Sequence, residues 1–372
     1  MNKKLRFFLT RFLLLLIVII FFFIVVEASF RIHAKIVDID YRIYHQQLVN
    51  FNETYSPNLF LSDEQVPFRL APFFQGISST YDFSVVYKTN SQGLRDREYA
   101  FERDPGMKRI LVFGDSNTFG HGIPYGKRFT DIAENHFSNV EIINFGVPGF
   151  GLDQKLIYFA KEGVNYLPDY AVVFILSVSA WRYSTDIYSN GSIDLRKASF
   201  SEFSSYDSTT LYRLDNQFRY QDSFLLRNSH FLSYVSYKLN IFYLKKQLGA
   251  PLPFDSNLVA NFSLYFPDRE THFSILRDRT AAIAREFSKI AEENDIKLIF
   301  VSIDYHKESK PFLSQFQEDM LSYNISYYDF GEEILAASNQ RPVTFKYDPH
   351  LNEYANKVIA QEFIELLEKE LE

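Results

Sequence analysis

"RILVFGDSNTFGHG", residues 109–122, is a short apolar run that ends in glycine and passes into a glycine-bracketed turn displaying one serine. The run "RILVFG" lacks the polar–apolar alternation of a half-exposed strand. That texture marks a strand covered on both faces, as in a parallel sheet. It recurs in "VEIINFG" (140–146), "YAVVFILSVS" (170–179), "IKLIFVSI" (296–303) and the shorter "ISYYDF" (325–330). Helical periodicity appears between and after these runs, in "KRFTDIAENHF" (127–137), "LDQKLIYFAKEGV" (152–164), "RTAAIAREFSKIAEEN" (279–294) and "NEYANKVIAQEFIELLEKEL" (352–371). In the third of these, Ile283, Phe287 and Ile290 share one face. Strands alternating with helices predict an α/β fold with a doubly wound, flavodoxin-like, mostly parallel sheet covered on both sides.

Composition narrows the classes. The chain has 372 residues, 47% hydrophobic and 17% aromatic, which is ample for a large core. A net charge of −7 without a basic stripe argues against nucleic-acid binding. With no cysteine, disulfides, thiolate metal sites and cysteine nucleophiles are excluded. The 8 histidines show no H-E-x-x-H or related ligand spacing, so no metal and no cofactor are expected.

Residues 1–30 differ in kind. Lys3, Lys4, Arg6 and Arg11 precede or interrupt an apolar run whose residues 7–26 match the ~20 that a bilayer requires. This reads as a membrane anchor with its positive flank in the cytoplasm and the remainder periplasmic or extracellular. A cleaved signal peptide is the rival reading, with a small-residue site near Ala28. A tyrosine-rich lead follows over 31–105, in which "YKTNSQGLRDREYAFERD" (87–104) reads as a hairpin or loop and then a linker. The main domain is expected over 106–372. An aromatic-rich insertion at about 183–273 interrupts it, since no βα loop needs ninety residues.

Open α/β sheets place function at the carboxyl ends of their strands. Ser116 follows the first strand, Asn144 to Gly149 the second and Ser177 to Ser179 the third, while Asp348 and His350 precede the last helix. Four segments distant in sequence thus converge on one sheet edge.

Their order resembles the SGNH/GDSL-type serine hydrolases. "VFGDSNTFGHGIPYGKRF" is similar to that family's first block, "NFGVPGFGLDQ" to the second and "YDPHLNEYANKVIA" to the last. "TNSQGLRDRE" is similar to a lead found in membrane-anchored members. The resemblance implies Ser116 as nucleophile, His350 and Asp348 as its base and acid, and the Ser116 and Gly149 N–H groups as oxyanion donors. Two departures stand out. Tyr347 holds the position three before the histidine where the wider family has its acid. The Asp-x-His spacing instead looks like the branch of polysaccharide O-acetyltransferases that includes the alginate-modifying enzymes. The third block has no asparagine, which leaves Ser177 or Ser179 as a further donor.

The residue types suit these roles. A serine hydroxyl needs a base to take its proton, and histidine titrates near neutrality. A carboxylate fixes the imidazole tautomer, and backbone N–H groups stabilise the oxyanion. His121 reads as a loop residue beside the nucleophile, Asp115 as a turn-holding residue, and Trp181 as core or pocket lining. The expected substrate is an acyl-ester small molecule or an acylated glycan. Hydrolysis leads, with O-acyl transfer or deacetylation of a cell-surface polysaccharide as the alternative. A membrane-anchored binding protein that kept the fold and lost the chemistry is the second alternative.

Overall fold

The computed structural model describes residues 3–36, 59–61, 63, 68–80, 82–177, 188–189, 192–193, 228–236, 238–239, 269–346 and 348–372. Two compact units are present, one of Met1–Thr54 with Phe218–Val259, the other of Tyr55–Gln217 with Ala260–Glu372.

In the first unit, α1 (Lys3–Ile36) is a helix long and apolar enough to cross a membrane. Its large apolar side chains from Leu5 to Val25 are exposed. Glu27, just beyond that stretch, caps the helical residues 230–236. Its carboxylate accepts from the Ser229 hydroxyl at 2.7 Å and from the His230 and Phe231 N–H groups, both at 3.1 Å.

The second unit is built on a sheet. Short pairs β1 (Phe60–Leu61) with β2 (Arg69–Leu70) and β3 (Gln75–Ser79) with β4 (Ser84–Lys88) come first, both antiparallel. The main chain of elements then runs β5 (Lys108–Gly114), α2 (Ser116–Phe119), α3 (Phe129–His136), β6 (Val140–Gly146), α4 (Leu152–Lys161) and β7 (Tyr170–Ile175). A two-residue pair, β8 (Tyr188–Ser189) with β9 (Ser192–Ile193), lies in the expected insertion, the rest of which, apart from 228–236, 238–239 and 269–273, is outside the described residues. The core resumes with α5 (Arg269–Glu293), β10 (Lys297–Ser302), α6 (Lys310–Ser322), β11 (Ser326–Asp329), α7 (Gly331–Ser338) and α8 (Glu353–Leu371).

β11, β10, β7, β5 and β6 form one five-stranded sheet in that order, every pairing parallel. The doubly wound fold expected from the apolar runs is the fold present. Alternate residues of each strand go to opposite faces, because side chains in a strand have period two. Leu111, Phe113 and Val173 join one core with α4, α5 and α6; Ile110, Val112 and Val172 join the other with α3, α7 and α8. The face read for Ile283, Phe287 and Ile290 is buried in the first of these cores. Helices α6 and α7 were not anticipated from the sequence, where they lie under short, charged, weakly periodic stretches.

From β5 the chain moves outward to β6, then crosses back to β7 on the other side of β5. The strand order therefore reverses at β5, which opens a crevice at its carboxyl end. Ser116 is two residues past that end.

Candidate active site

The turn that carries Ser116 is fixed by short-range chemistry. Asp115 caps α2, its carboxylate accepting from the Asn117 N–H at 3.0 Å. Gly120 ends the helix at φ +79°, a left-handed conformation that glycine adopts without a Cβ penalty. Ser116 is thus the first residue of α2, and it is buried. From β6, the buried Asn144 amide donates to the Thr118 carbonyl (2.6 Å) and to the Thr130 hydroxyl (2.9 Å) and accepts from the Gly146 N–H (2.9 Å). It thereby ties α2 to the neighbouring strand end.

The segment before α8 is fixed separately. Asn352 caps α8 by accepting from the Tyr354 and Ala355 N–H groups, and its amide donates to the carbonyls of Pro342 (2.8 Å) and Thr344 (2.7 Å). The Leu351 N–H donates to Asn117 Oδ1 at 3.1 Å, which joins this loop to the Ser116 turn.

Between the two, three side chains line up. Ser116 Oγ lies 2.7 Å from His350 Nε2, and His350 Nδ1 lies 2.5 Å from Asp348 Oδ1. The His350 backbone N–H also donates to that carboxylate oxygen, at 2.8 Å. An ionised carboxylate accepts only, so His350 carries its proton on Nδ1 and presents the Nε2 lone pair to the serine hydroxyl. Burial would raise the Asp348 carboxyl, but hydrogen bonds from His121 and His350 outweigh it and hold the group well below the usual carboxylate range.

His121 lies in the turn after α2, as expected, and its side chain packs into this assembly. Its Nε2 is 3.5 Å from Asp348 Oδ2, and its ring centroid lies 4.3 Å from that of His350. Burial, and next the neighbouring His350, push its pKa down to about 4. Tyr87 from β4 closes the far side: its hydroxyl accepts from the Gly122 N–H at 2.9 Å and lies 3.5 Å from His121 Nδ1. Ligand atoms of His121, Asp348 and His350 fall within 4.8 Å of one another, a spacing that a metal ion would also fit. His350 is hydrogen-bonded to both Asp348 and Ser116, and His121 Nε2 approaches the same carboxylate at 3.5 Å.

Arg95 comes from the charged stretch expected to be loop and linker, yet it is buried. Its guanidinium donates to the carbonyls of Phe119 (2.9 Å), Gly120 (2.6 Å) and Ile123 (2.6 Å) and covers the Tyr87 and Phe119 rings. Carbonyls freed where α2 ends need a donor, and a long cation from outside the sheet provides it. Tyr87 and Arg95 are the residues of this cluster that sequence reasoning missed; His121 was placed beside Ser116, but not its approach to Asp348.

Gly149 stands after β6 at φ +85°, a conformation that again favours glycine. Among the described residues neither its N–H nor that of Ser116 has an acceptor. Ser177 follows β7, and its hydroxyl is engaged elsewhere: it donates to Asp304 Oδ2 at 2.5 Å and meets the Ser309 hydroxyl at 2.8 Å. Ser179, Trp181 and Tyr347 lie outside the described residues.

No protein-family model matches the chain, and no curated protein matches it. Similar solved structures are lipolytic and ester-cleaving proteins by name. A lipolytic protein of the G-D-S-L family from Veillonella parvula DSM 2008 is 14% identical, over 69% of this chain and 97% of that one, with a TM-score of 0.36. The lipase/acylhydrolase from Enterococcus faecalis is 12% identical, over 71% and 97%, with a TM-score of 0.37. The psychrotrophic esterase EstA from Pseudoalteromonas sp. is 12% identical, over 71% and 98%, with a TM-score of 0.39.

Proposed function

We propose that the chain is a membrane-anchored, extracytoplasmic serine hydrolase of the SGNH/GDSL type that cleaves ester bonds through an acyl-serine intermediate. The observation that carries this reading is the continuous array from Ser116 Oγ through His350 to Asp348, with contacts of 2.7 and 2.5 Å. A binding protein that had lost the chemistry has no need of that alignment.

In this reading His350 Nε2 takes the Ser116 hydroxyl proton as Oγ attacks the ester carbonyl. The carbonyl π electrons move to its oxygen, and the N–H groups of Ser116 and Gly149 hold the resulting oxyanion. Asp348 stabilises the imidazolium without accepting its proton. Collapse of the tetrahedral species breaks the ester C–O bond, and the imidazolium returns its proton to the departing alkoxide. A second acceptor hydroxyl, deprotonated by the same nitrogen, then attacks the acyl-enzyme; the acyl C–Oγ bond breaks and the imidazolium returns the proton to Ser116 Oγ. Water as that acceptor gives hydrolysis, while a sugar hydroxyl gives O-acyl transfer to a surface glycan. Both share every residue named here. The acceptor reading is separated by product analysis with an acetyl donor in the presence and absence of glycan acceptors.

A fluorophosphonate probe tests the acyl-serine step. The wild type is expected to be labelled and Ser116→Ala to be blank; labelling that survives the substitution overturns the assignment. The anchor is supported by the length and exposure of α1. Protease added outside the membrane should digest the large domain, and complete protection would place it on the cytoplasmic side.

A further inference from the structure

We propose that His121 is a positioning residue of this site, a neutral imidazole that holds the second oxygen of Asp348 through Nε2–H and is itself held at Nδ1 by Tyr87. This rests on reading the Ser116 array as catalytic.

The tautomer follows from donor and acceptor counting. Asp348 Oδ1 already takes two donors from His350, its ring N–H and its backbone N–H. Oδ2 faces His121 Nε2 at 3.5 Å, and a carboxylate facing a bare nitrogen lone pair would be repelled. The proton therefore sits on Nε2. Nδ1 is left as an acceptor, and the Tyr87 hydroxyl, 3.5 Å away, faces it. Burial raises the pKa of that phenol, so it keeps the proton it donates.

The groups facing His121 come from several elements: Tyr87 from β4, Arg95 from the segment after it, and Asp348 and His350 from the segment before α8. Phe83 adds a ring at 5.1 Å, nearly perpendicular. Such surroundings favour the uncharged form. Neutrality matters, because a second cation would stand 4.3 Å, ring to ring, from the imidazolium that His350 becomes during acylation. It would also compete for the charge of Asp348. A neutral donor fixes the carboxylate plane while leaving its whole charge to His350. The backbone contributes as well, since the His121 N–H donates to the Ser116 carbonyl at 2.9 Å. One residue thus grips the nucleophile turn with its backbone and the acid with its side chain.

The full-length protein in detergent micelles, His121→Gln and His121→Phe are compared with the fluorophosphonate probe. Glutamine offers an amide N–H near the position of Nε2–H; phenylalanine fills the volume and offers none. The Phe variant is expected to lose on the order of 10–100-fold in maximal acylation rate with the half-saturating probe concentration unchanged, and Gln to stay within about threefold of wild type. A second measurement does not depend on activity: 15N NMR of histidine-labelled protein at pH 7 should show His121 as the neutral Nε2–H tautomer. An unlabelled wild type refutes the hydrolase reading, and the NMR then judges the positioning role alone. A labelled wild type with an equally fast Phe variant refutes the positioning role, as does an Nδ1–H tautomer or an imidazolium at pH 7.

Discussion

Two Asp-x-His segments stand at the carboxyl edge of the sheet, and they are built alike. In Asp348-Pro349-His350 and in Asp304-Tyr305-His306 the histidine Nδ1 and the backbone N–H both meet Oδ1 of the aspartate, at 2.5 and 2.8 Å in the first and at 2.9 and 3.1 Å in the second. Each aspartate is buried, and each site has a serine. The serine's place differs. Ser116 meets the free nitrogen of His350, so a base stands ready for its proton. Ser177 meets the carboxylate Asp304 directly, and His306 is 59% exposed beyond it. A carboxylate bonded to a hydroxyl orients it; held well below neutrality by its partners, it does not deprotonate it. Asp304 is at about 2, its burial outweighed by hydrogen bonds from His306 and Ser177. The same three residue types thus give a candidate catalytic triad in one place and a structural clasp in the other. The order of contacts decides, not the composition.

Substitution of the two histidines tests that contrast most strongly. His350→Ala is expected to lower the acylation rate by roughly 10⁵- to 10⁶-fold, as loss of a triad base does. His306→Ala should leave it within about threefold. Comparable losses in the two variants, read by probe labelling at equal folded protein, would erase the distinction drawn here.

The aspartates come next. Asp348→Asn should cost about 10⁴-fold in acylation, because the amide no longer enforces the Nδ1–H tautomer of His350. Asp304→Asn should leave the rate of folded molecules within a few-fold but lower stability by about 2 kcal/mol, since an amide cannot accept at both ends from Ser177 and His306. Urea unfolding measures the second effect. A stable Asp304→Asn protein with impaired acylation would move Asp304 into the chemistry.

The contrast was only partly legible in the sequence. Ser116 was readable because an apolar strand, a capping aspartate and a turn glycine are local signals, and β5, β6, β7, β10 and β11 were readable because burial on both faces leaves unbroken apolar runs. Asp348 and His350 stood out through their place before the last helix. Asp304 and His306 carry the same spacing and were passed over, because nothing local says which atom a serine will meet. What His121, Tyr87 and Arg95 touch was hidden for another reason. Their contacts depend on how the β3–β4 hairpin and the segment after it pack onto the turn, and a charged side chain in a loop ordinarily signals solvent. Arg95 is buried instead because its guanidinium donates to the Phe119 and Gly120 carbonyls at the end of α2 and to that of Ile123 in the turn beyond.

Acid should undo the two clusters in different pH windows. His121 has a folded pKa of about 4 against 6.5 for the free side chain. Between those values the unfolded chain binds a proton that the folded chain refuses. Stability is therefore complete above pH 6.5 and falls toward pH 4, by on the order of 3 kcal/mol in all. Asp304 has a folded pKa of about 2 against 3.8, so its contribution is complete above 3.8 and is lost only below that. Asp96 works in the opposite sense. Burial raises it to about 6, and the folded chain takes up its proton first. All variants retain Asp96, so differences between curves cancel it. In urea unfolding from pH 7 to 4.5 the wild type should lose stability faster than His121→Gln by about 1.4 kcal/mol per pH unit, while Asp304→Asn runs parallel to the wild type. Parallel curves for the wild type and His121→Gln would mean that His121 is not held neutral.

The smallest expected effect concerns Ser177. Where the resemblance would place an asparagine at the end of β7 the chain has Ser177, and the expectation was that its hydroxyl serves as a further oxyanion donor. A hydroxyl has one proton, and that of Ser177 is already bonded to the Asp304 carboxylate. In the proposed function the donors are the Ser116 and Gly149 N–H groups, held by the cap of α2 and by the left-handed backbone at Gly149. Ser177→Ala should therefore change the acylation rate by no more than about threefold, whereas loss of a true oxyanion donor costs about 10²- to 10³-fold. A loss of that larger size, with the protein still folded, would return Ser177 to the site. It would also require Asp304 to release the hydroxyl once substrate is bound, which would make the second Asp-x-His segment a working part of the first.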